Sequence, residues 1–228
     1  AKLHHVLTTP GAARDDDPSD ALMQRMMSVG VGEEVADEFL PLLFDQIGLK
    51  LPKPRKEIEG RPAPKSDFKV LVIGAGMTGL AASLKLEEAG YEHIVIEKNP
   101  EVGGTWYENR YPGVGVDTPS HFYSYSFEIT PEWTHYHPKG VDMQKYLLHV
   151  ADKYDLRRNI RFNTEVVALR YDDAEAMWNV TVRGKDGTEE VIRANAVINA
   201  HGPVNRWKWP DIPGREEFQG KIMHTANW

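Results

Sequence analysis

The sequence contains no cysteine, so disulfides, zinc ribbons and cysteine nucleophiles are all excluded. It has no apolar run near the roughly 20 residues needed to span a bilayer. The opening Ala1-Lys2-Leu3-His4-His5 holds no long apolar stretch of the secretory kind. Positive charge is scarce: 27 Lys and Arg stand against 34 Asp and Glu, a net charge of -7. Phosphate-backbone contacts need a concentrated positive field, which argues against a general nucleic-acid binder. The expectation is a cytoplasmic protein with no membrane and no nucleic-acid partner. No Gly-x-Ser-x-Gly occurs, so a hydrolase elbow of that form is absent. His121, His135, His137 and His149 lack acidic or cysteine partners at ligand spacing, and surface or packing roles are expected for them, with no metal.

What is present divides at about residue 66. Residues 1–17, rich in small, polar and turn-forming types and including Asp15-Asp16-Asp17, read as a disordered arm. Asp20 is a candidate cap for a short helix through Leu22, Met23, Met26 and Met27, ending near Gly30 and Gly32. A second helical pattern starts at Glu33, with Val35, Phe39, Leu42, Leu43, Gln46 and Ile47 on one face and Pro41 dividing it. That face is expected to bury against the main domain, or else to form a subunit contact that would make a homodimer. Residues 51–66, with Pro52, Pro54, Pro62 and Pro64, read as an extended linker.

Beyond it the pattern changes. Residues 68–73 form the short apolar run of a buried parallel strand. Residues 78–89 follow as a helix closed by Gly90, and residues 92–97 as a second strand. A helix is expected over 142–154, with Tyr146, Leu147 and Val150 on one face. Strands are expected near 165–171, 178–183 and 190–198, with a turn at Gly184-Lys185-Asp186-Gly187. The fold class is therefore α/β: residues 1–66 a helical extension and linker, residues 67–228 a Rossmann-like domain with a small antiparallel β-meander and a return strand ending near Ala200.

Gly74-Ala75-Gly76-Met77-Thr78-Gly79 lies between the first strand and the helix. Gly74 permits the tight turn, Gly76 lets backbone approach a pyrophosphate, and Gly79 allows close helix–strand packing. Amides and dipole at the helix start attract the phosphates, with Met77 and Thr78 in its opening turn. Glu97 ends the next strand, with 17 residues between it and Gly79. A carboxylate there can accept both hydroxyl hydrogens of an adenosine ribose, and a 2′-phosphate would sit badly against it. This composite is strong for a dinucleotide but does not separate FAD from NAD.

Gly103-Gly104-Thr105-Trp106 comes next, then Tyr111-Pro112-Gly113, then Asp117 and a run through Tyr123 to Phe127. Adjacent glycines let a chain pass close to a flat ligand, and Trp106 can pack near it. The plainer alternatives are a simple turn, a core tryptophan and a loop-capping Asp117. Asn199-Ala200-His201-Gly202 then leads to Pro210, Pro213 and Gly214. The last eleven residues, from Phe218 to Trp228, spell Phe-x-Gly-x-x-x-His-x-x-x-Trp.

Over residues 67–228 this set resembles the Baeyer–Villiger monooxygenases, flavoproteins that insert an oxygen atom next to a ketone carbonyl. His201 departs from the threonine common in that family. The helical leader is similar to that of members of the hydroxyacetophenone type. The resemblance implies the FAD-binding part of a flavoprotein with two dinucleotide-binding domains, incomplete at its C-terminal side. It implies FAD, with NADPH bound mostly outside this chain, and as partners a small ketone, O2 and the remaining C-terminal part of the enzyme. It assigns FAD contacts to Gly74, Gly76, Met77, Thr78, Gly79, Glu97, Gly104, Thr105, Trp106, Tyr111, Asp117 and Tyr123. Asp117 would orient an arginine lying beyond Trp228, and His224 would couple the domains without acting as a general base. The alternatives are an N- or S-oxygenating flavin monooxygenase and a noncatalytic FAD-binding fragment. With no second Gly-x-Gly-x-x-Gly, the 228-residue chain alone is expected not to turn over NADPH.

Overall fold

The computed structural model describes residues 19–40, 43, 64, 66–203, 207–226 and 228. The chain divides into two compact units, residues 1–56 and 57–228. The expected disordered arm, the later part of the second helical pattern (41, 42 and 44–47) and most of the proline-rich linker lie outside the described residues.

In the first unit, α1 spans Asp20–Val31. Its cap is Ser19 and not Asp20, which is the first helical residue: the Ser19 hydroxyl accepts from the Leu22 amide at 3.3 Å. Ser19 has the extended backbone (φ -59°, ψ 153°) that lets a cap side chain fold back over the first turn. The helix stops at Gly32, whose left-handed φ of 86° turns the chain while its amide donates to the Ser28 carbonyl. Helix does not resume at Glu33 as the spacing predicts. Gln24 Nε2 donates to the Val35 carbonyl at 2.8 Å and the Val35 amide donates to Ser28 Oγ at 3.0 Å. Those bonds take the backbone groups a helix would need there, so a 3₁₀ turn forms first at Asp37–Phe39, and helical backbone is found later than the spacing predicts, at Leu40 and Leu43.

The second unit has three layers. A parallel sheet comprises β1 (Lys69–Ile73), β2 (Glu92–Ile96), β3 (Ile160–Arg161) and, after the meander, β7 (Ala196–Asn199). Their spatial order is β3-β2-β1-β7, so successive strands run outward on one side of β1 and the return strand pairs on its other side. Helices α2 (Met77–Glu88) and α4 (Gly140–Lys153) cover one face, with the single-turn α3 (Thr105–Glu108) between them in sequence. Antiparallel strands β4 (Thr164–Asp172), β5 (Met177–Gly184) and β6 (Glu189–Ala194) cover the other.

Strand alternation explains the layering. Val72 and Val95 point to the helical side and join Leu80, Met143, Leu147 and Val150. Leu71 and Ile96 point the other way, against Val180, Val182 and Ala194 of the meander. A sheet covered on both faces needs the near-continuous apolar β1 seen in the sequence. The helix face Tyr146, Leu147 and Val150 is buried as its spacing predicts.

One expected strand is divided. Residues 190–198 read as continuous, but the chain changes sheets at Asn195, leaving β6 in the meander and β7 in the parallel sheet. Asn195 makes the switch by bonding both backbone groups of Lys69: its Oδ1 accepts from the Lys69 amide at 2.8 Å and its own amide donates to the Lys69 carbonyl at 2.9 Å. Among the described residues no helix is long and apolar enough to cross a membrane.

Candidate functional site

A cleft of about 670 Å³ opens at the carboxyl ends of β1, β2 and β7. It lies where the strand order reverses, the crevice in which open α/β sheets bind ligands. Its volume is that of an ordinary small-molecule site.

The floor is the turn from β1 to α2. Gly74 has φ 97°, and a Cβ there would lie 2.8 Å from the Ala200 carbonyl oxygen. A Cβ on Gly79 would come within 1.8 Å of the Gly74 carbonyl oxygen, so its missing side chain is what lets α2 sit down on the turn. Gly79 is buried and off the cleft lining. Gly76 differs from both. Its φ of -78° suits any residue, and a Cβ would meet only Gly104 Cα, at the ordinary contact distance of 3.6 Å. The protein's own packing does not demand glycine there, and Gly76 lines the cleft with Met77 and Thr78. No side chain caps α2, so its first-turn amides keep their donor capacity at the cleft.

Glu97 stands just past β2, only 4% exposed, with its carboxylate at the cleft. Oε2 accepts from the Ala75 amide at 2.7 Å and Oε1 from the Asn99 amide at 2.8 Å. A carboxylate has about four acceptor positions, so capacity remains for ligand hydroxyls after the turn has been braced. The next wall is Gly103-Gly104-Thr105-Trp106. Gly103 donates its amide to the Ala75 carbonyl at 3.0 Å, which clamps this segment over the glycine turn. Gly104 adopts φ 53°, and a Cβ on it would press on Gly76 Cα at 3.1 Å. The Trp106 and Tyr123 rings meet edge to face at 5.8 Å, and both line the cleft.

Nine of the residues expected at the cofactor therefore line one cleft: Gly74, Gly76, Met77, Thr78, Glu97, Gly104, Thr105, Trp106 and Tyr123. Tyr111, Asp117 and His224 are not among the lining. Tyr111 begins a turn in which its carbonyl accepts from the Val114 amide and Gly113 takes φ 84°. Asp117 is exposed on a loop held by bonds from the Val116 amide to the Pro138 carbonyl and from the Ser120 amide to the Tyr136 carbonyl. His224 stacks on Trp207 at 4.7 Å and meets Trp209 edge-on at 5.2 Å, while its Nδ1 accepts from the Ala226 amide. In the same motif Phe218 and Trp228 are exposed and serve no local core.

The sequence reading did not find the opposite wall, made by Thr164, Glu165, Val166 and Leu169 of β4. The Thr164 amide donates to the Glu97 carbonyl and the Asn163 amide to the Asn99 carbonyl, bringing β4 to the acidic end of β2. No local motif marks that junction. Lys98 and Asn99 also line the cleft, with Glu108 bonded to both side chains, and their adjacency to Glu97 was the available signal. His201, Gly202 and Pro203 line it after β7. Among the described residues no cluster of acidic, histidine or cysteine side chains suits a metal ion.

Sheet order, glycine turn and terminal acid together define a Rossmann-type dinucleotide-binding domain. The model of an NAD(P)-binding Rossmann-like domain matches residues 72–137. An uncharacterised monooxygenase of Sinorhizobium fredii is 35% identical over 215 residues, covering 93% of this chain and 31% of that protein. A Baeyer–Villiger monooxygenase of Streptomyces coelicolor is 41% identical over 162 residues, 70% of this chain and 30% of that protein. The solved cyclohexanone monooxygenase of Rhodococcus sp. Phi1, bound to NADP+, superposes with a TM-score of 0.63 at 40% identity, covering 72% of this chain and 31% of that one. OTEMO, in complex with FAD and NADP, gives 0.64 at 37% identity, covering 71% and 30%. The resemblance drawn from the motifs holds: over about 70% of its length this chain is similar to Baeyer–Villiger monooxygenases. It spans about 30% of the length of these relatives.

Proposed function

We propose that this chain is the FAD-binding N-terminal portion of an NADPH-consuming monooxygenase that inserts one oxygen atom from O2 next to a ketone carbonyl, giving an ester or lactone. The observation carrying this reading is the single cleft that unites Gly76, Glu97 and Trp106. Its residues fit a flavin dinucleotide. The uncapped first turn of α2 supplies amides for a pyrophosphate, and the bare face of Gly76 admits it closely. Glu97 has acceptor capacity left for ribose hydroxyls, and a negatively charged acceptor disfavours a 2′-phosphate at this position. Trp106 and Tyr123 offer apolar surface to a flat heterocycle.

When bound, the flavin supplies hydride acceptance from NADPH and oxygen activation, chemistry that protein side chains cannot perform themselves. This chain's residues anchor it, set its orientation and exclude water along the Trp106 wall. Asp117 and His224 line no part of the cleft, and the roles proposed for them are interactions with the remaining C-terminal part of the enzyme, a positioned arginine for Asp117 and domain coupling for His224. The test has two stages. The deflavinated full-length protein should take up FAD at one equivalent, with loss of binding in Glu97→Arg. Given NADPH and O2, it should then convert a ketone to an ester or lactone. Oxidation of an amine or sulfide with ketones untouched would replace the present reading by N- or S-oxygenation, and FAD uptake with no NADPH oxidation would leave only a binding role.

A further inference from the structure

We infer that Tyr125 is a positioning residue, whose hydroxyl ties the first turn of α2 to the aromatic wall of the cleft and holds the two in fixed register. The inference rests on the cofactor reading above and adds a residue to it that does not line the cleft.

Tyr125 Oη donates to the Met77 carbonyl at 2.6 Å, across 48 residues of sequence. Met77 opens α2 and lines the cleft between Gly76 and Thr78. At its other end Tyr125 belongs to the segment carrying Tyr123, whose ring completes the wall with Trp106. One side chain therefore joins the phosphate-facing turn to the ring-facing wall. Among the described residues no other side-chain hydrogen bond links those two parts directly.

The anchor is itself held from behind. The Tyr125 amide donates to Tyr146 Oη at 2.9 Å, and Tyr146 Oη donates to the Glu128 carbonyl at 2.8 Å. Tyr146 thus has its donor and one acceptor in use, both on the segment 125–128. The Glu128 carboxylate is gripped by Lys153 at 2.7 Å, Tyr154 at 2.8 Å and His149 at 3.1 Å, all from the end of α4. The Tyr125 ring also stacks on Phe127 at 4.7 Å. Burial raises the pKa of the Tyr125 hydroxyl far above the ordinary phenol value, so it stays a donor at any working pH. A tyrosine needed only for volume would not require a hydroxyl aimed at a helix carbonyl.

The adenosine and phosphate contacts are braced separately, by Glu97 on Ala75 and Asn99 and by Gly103 on Ala75. Loss of the Tyr125 hydroxyl should therefore disturb the alignment of the two walls more than either wall by itself. The experiment uses the deflavinated full-length protein as wild type, Tyr125→Phe and Tyr146→Phe, titrated with FAD and separately with ADP by calorimetry. Amide hydrogen exchange of the ligand-free proteins is read in parallel. In Tyr125→Phe, FAD affinity should fall about 5-fold to 15-fold, the loss expected for one buried hydrogen bond, with ADP affinity within about 2-fold. The amide of Leu80, which donates to the Gly76 carbonyl at the start of α2, and the bonded amides of the segment 122–125 should exchange faster together. Tyr146→Phe, which frees the same segment from behind, should give the same split. Unchanged FAD affinity, equal weakening of FAD and ADP, or unaltered exchange at the start of α2 would overturn the inference. A wild-type protein that takes ADP but refuses FAD would defeat the flavin reading alone, and the exchange data would still decide the role of Tyr125.

Discussion

Substituting Gly76 by alanine separates what the fold needs from what the ligand needs. A Cβ at Gly76 would contact Gly104 Cα at 3.6 Å, which is ordinary van der Waals distance, and φ -78° is open to alanine. Alanine restricts the unfolded chain, worth about 0.4–1 kcal/mol of stability at a compatible position. It is also a poorer helix N-cap than glycine, by an opposing amount of about the same size. The net change in folding stability should stay within about 1 kcal/mol, or about 2–4 °C in melting temperature. Binding should respond very differently. A methyl group on the cleft side displaces a pyrophosphate from the first-turn amides of α2, and each charge-assisted bond lost is worth about 1.5–3 kcal/mol. FAD affinity should fall about 10-fold to 150-fold for one such bond. Gly79→Ala is the control, because its Cβ would lie 1.8 Å from the Gly74 carbonyl oxygen and must push α2 away from the turn. That variant should melt well below wild type before any ligand is added. Thermal denaturation and flavin-fluorescence titration of the two variants decide the matter. If Gly76→Ala binds FAD as tightly as wild type, or is destabilised as severely as Gly79→Ala, the distinction drawn between the two glycines is wrong.

Glu97→Gln removes one of the two acceptors that brace the turn and sets an amide group against a backbone donor, so it should lower stability by about 1–3 kcal/mol and weaken FAD binding in the same titration. Glu128 gives a pH signature. Its burial raises the carboxyl pKa, but the bonds from Lys153, Tyr154 and His149 outweigh this and hold the pKa below the ordinary value. A depressed folded pKa means stabilisation that is present above the unfolded value of about 4.3 and lost as pH falls through the folded one. Wild type should therefore melt above Glu128→Gln at pH 7, and the gap should narrow as the pH is lowered below about 4. A gap independent of pH from 7 to 3 would contradict the assignment.

Much of the fold was legible because it is written in local patterns. The apolar run 68–73 became β1, and Gly90 closes α2 with φ 77°. The spacing Tyr146, Leu147, Val150 marked the buried face of α4. Each of these depends on the residues within one or two turns of chain. The glycine turn and Glu97 were readable for the same reason, since one strand–helix–strand unit contains the whole device. Where local signals competed, reading them singly failed. Ser19 took the cap expected of Asp20, and the backbone groups near Val35 were claimed by Gln24 and Ser28 before a helix could use them.

The sequence by itself determined that a dinucleotide turn, a terminal acid and an aromatic-flanked glycine pair exist, because their chemistry lies in residue type and short spacing. Only the tertiary structure decided that β4 walls the cleft, that Asn195 carries the chain from one sheet to the other, and that Tyr125 reaches Met77. Those contacts join residues dozens of positions apart. Their geometry comes from how sheet, helices and meander stack, and no periodicity along the chain records a distance between separately folded segments.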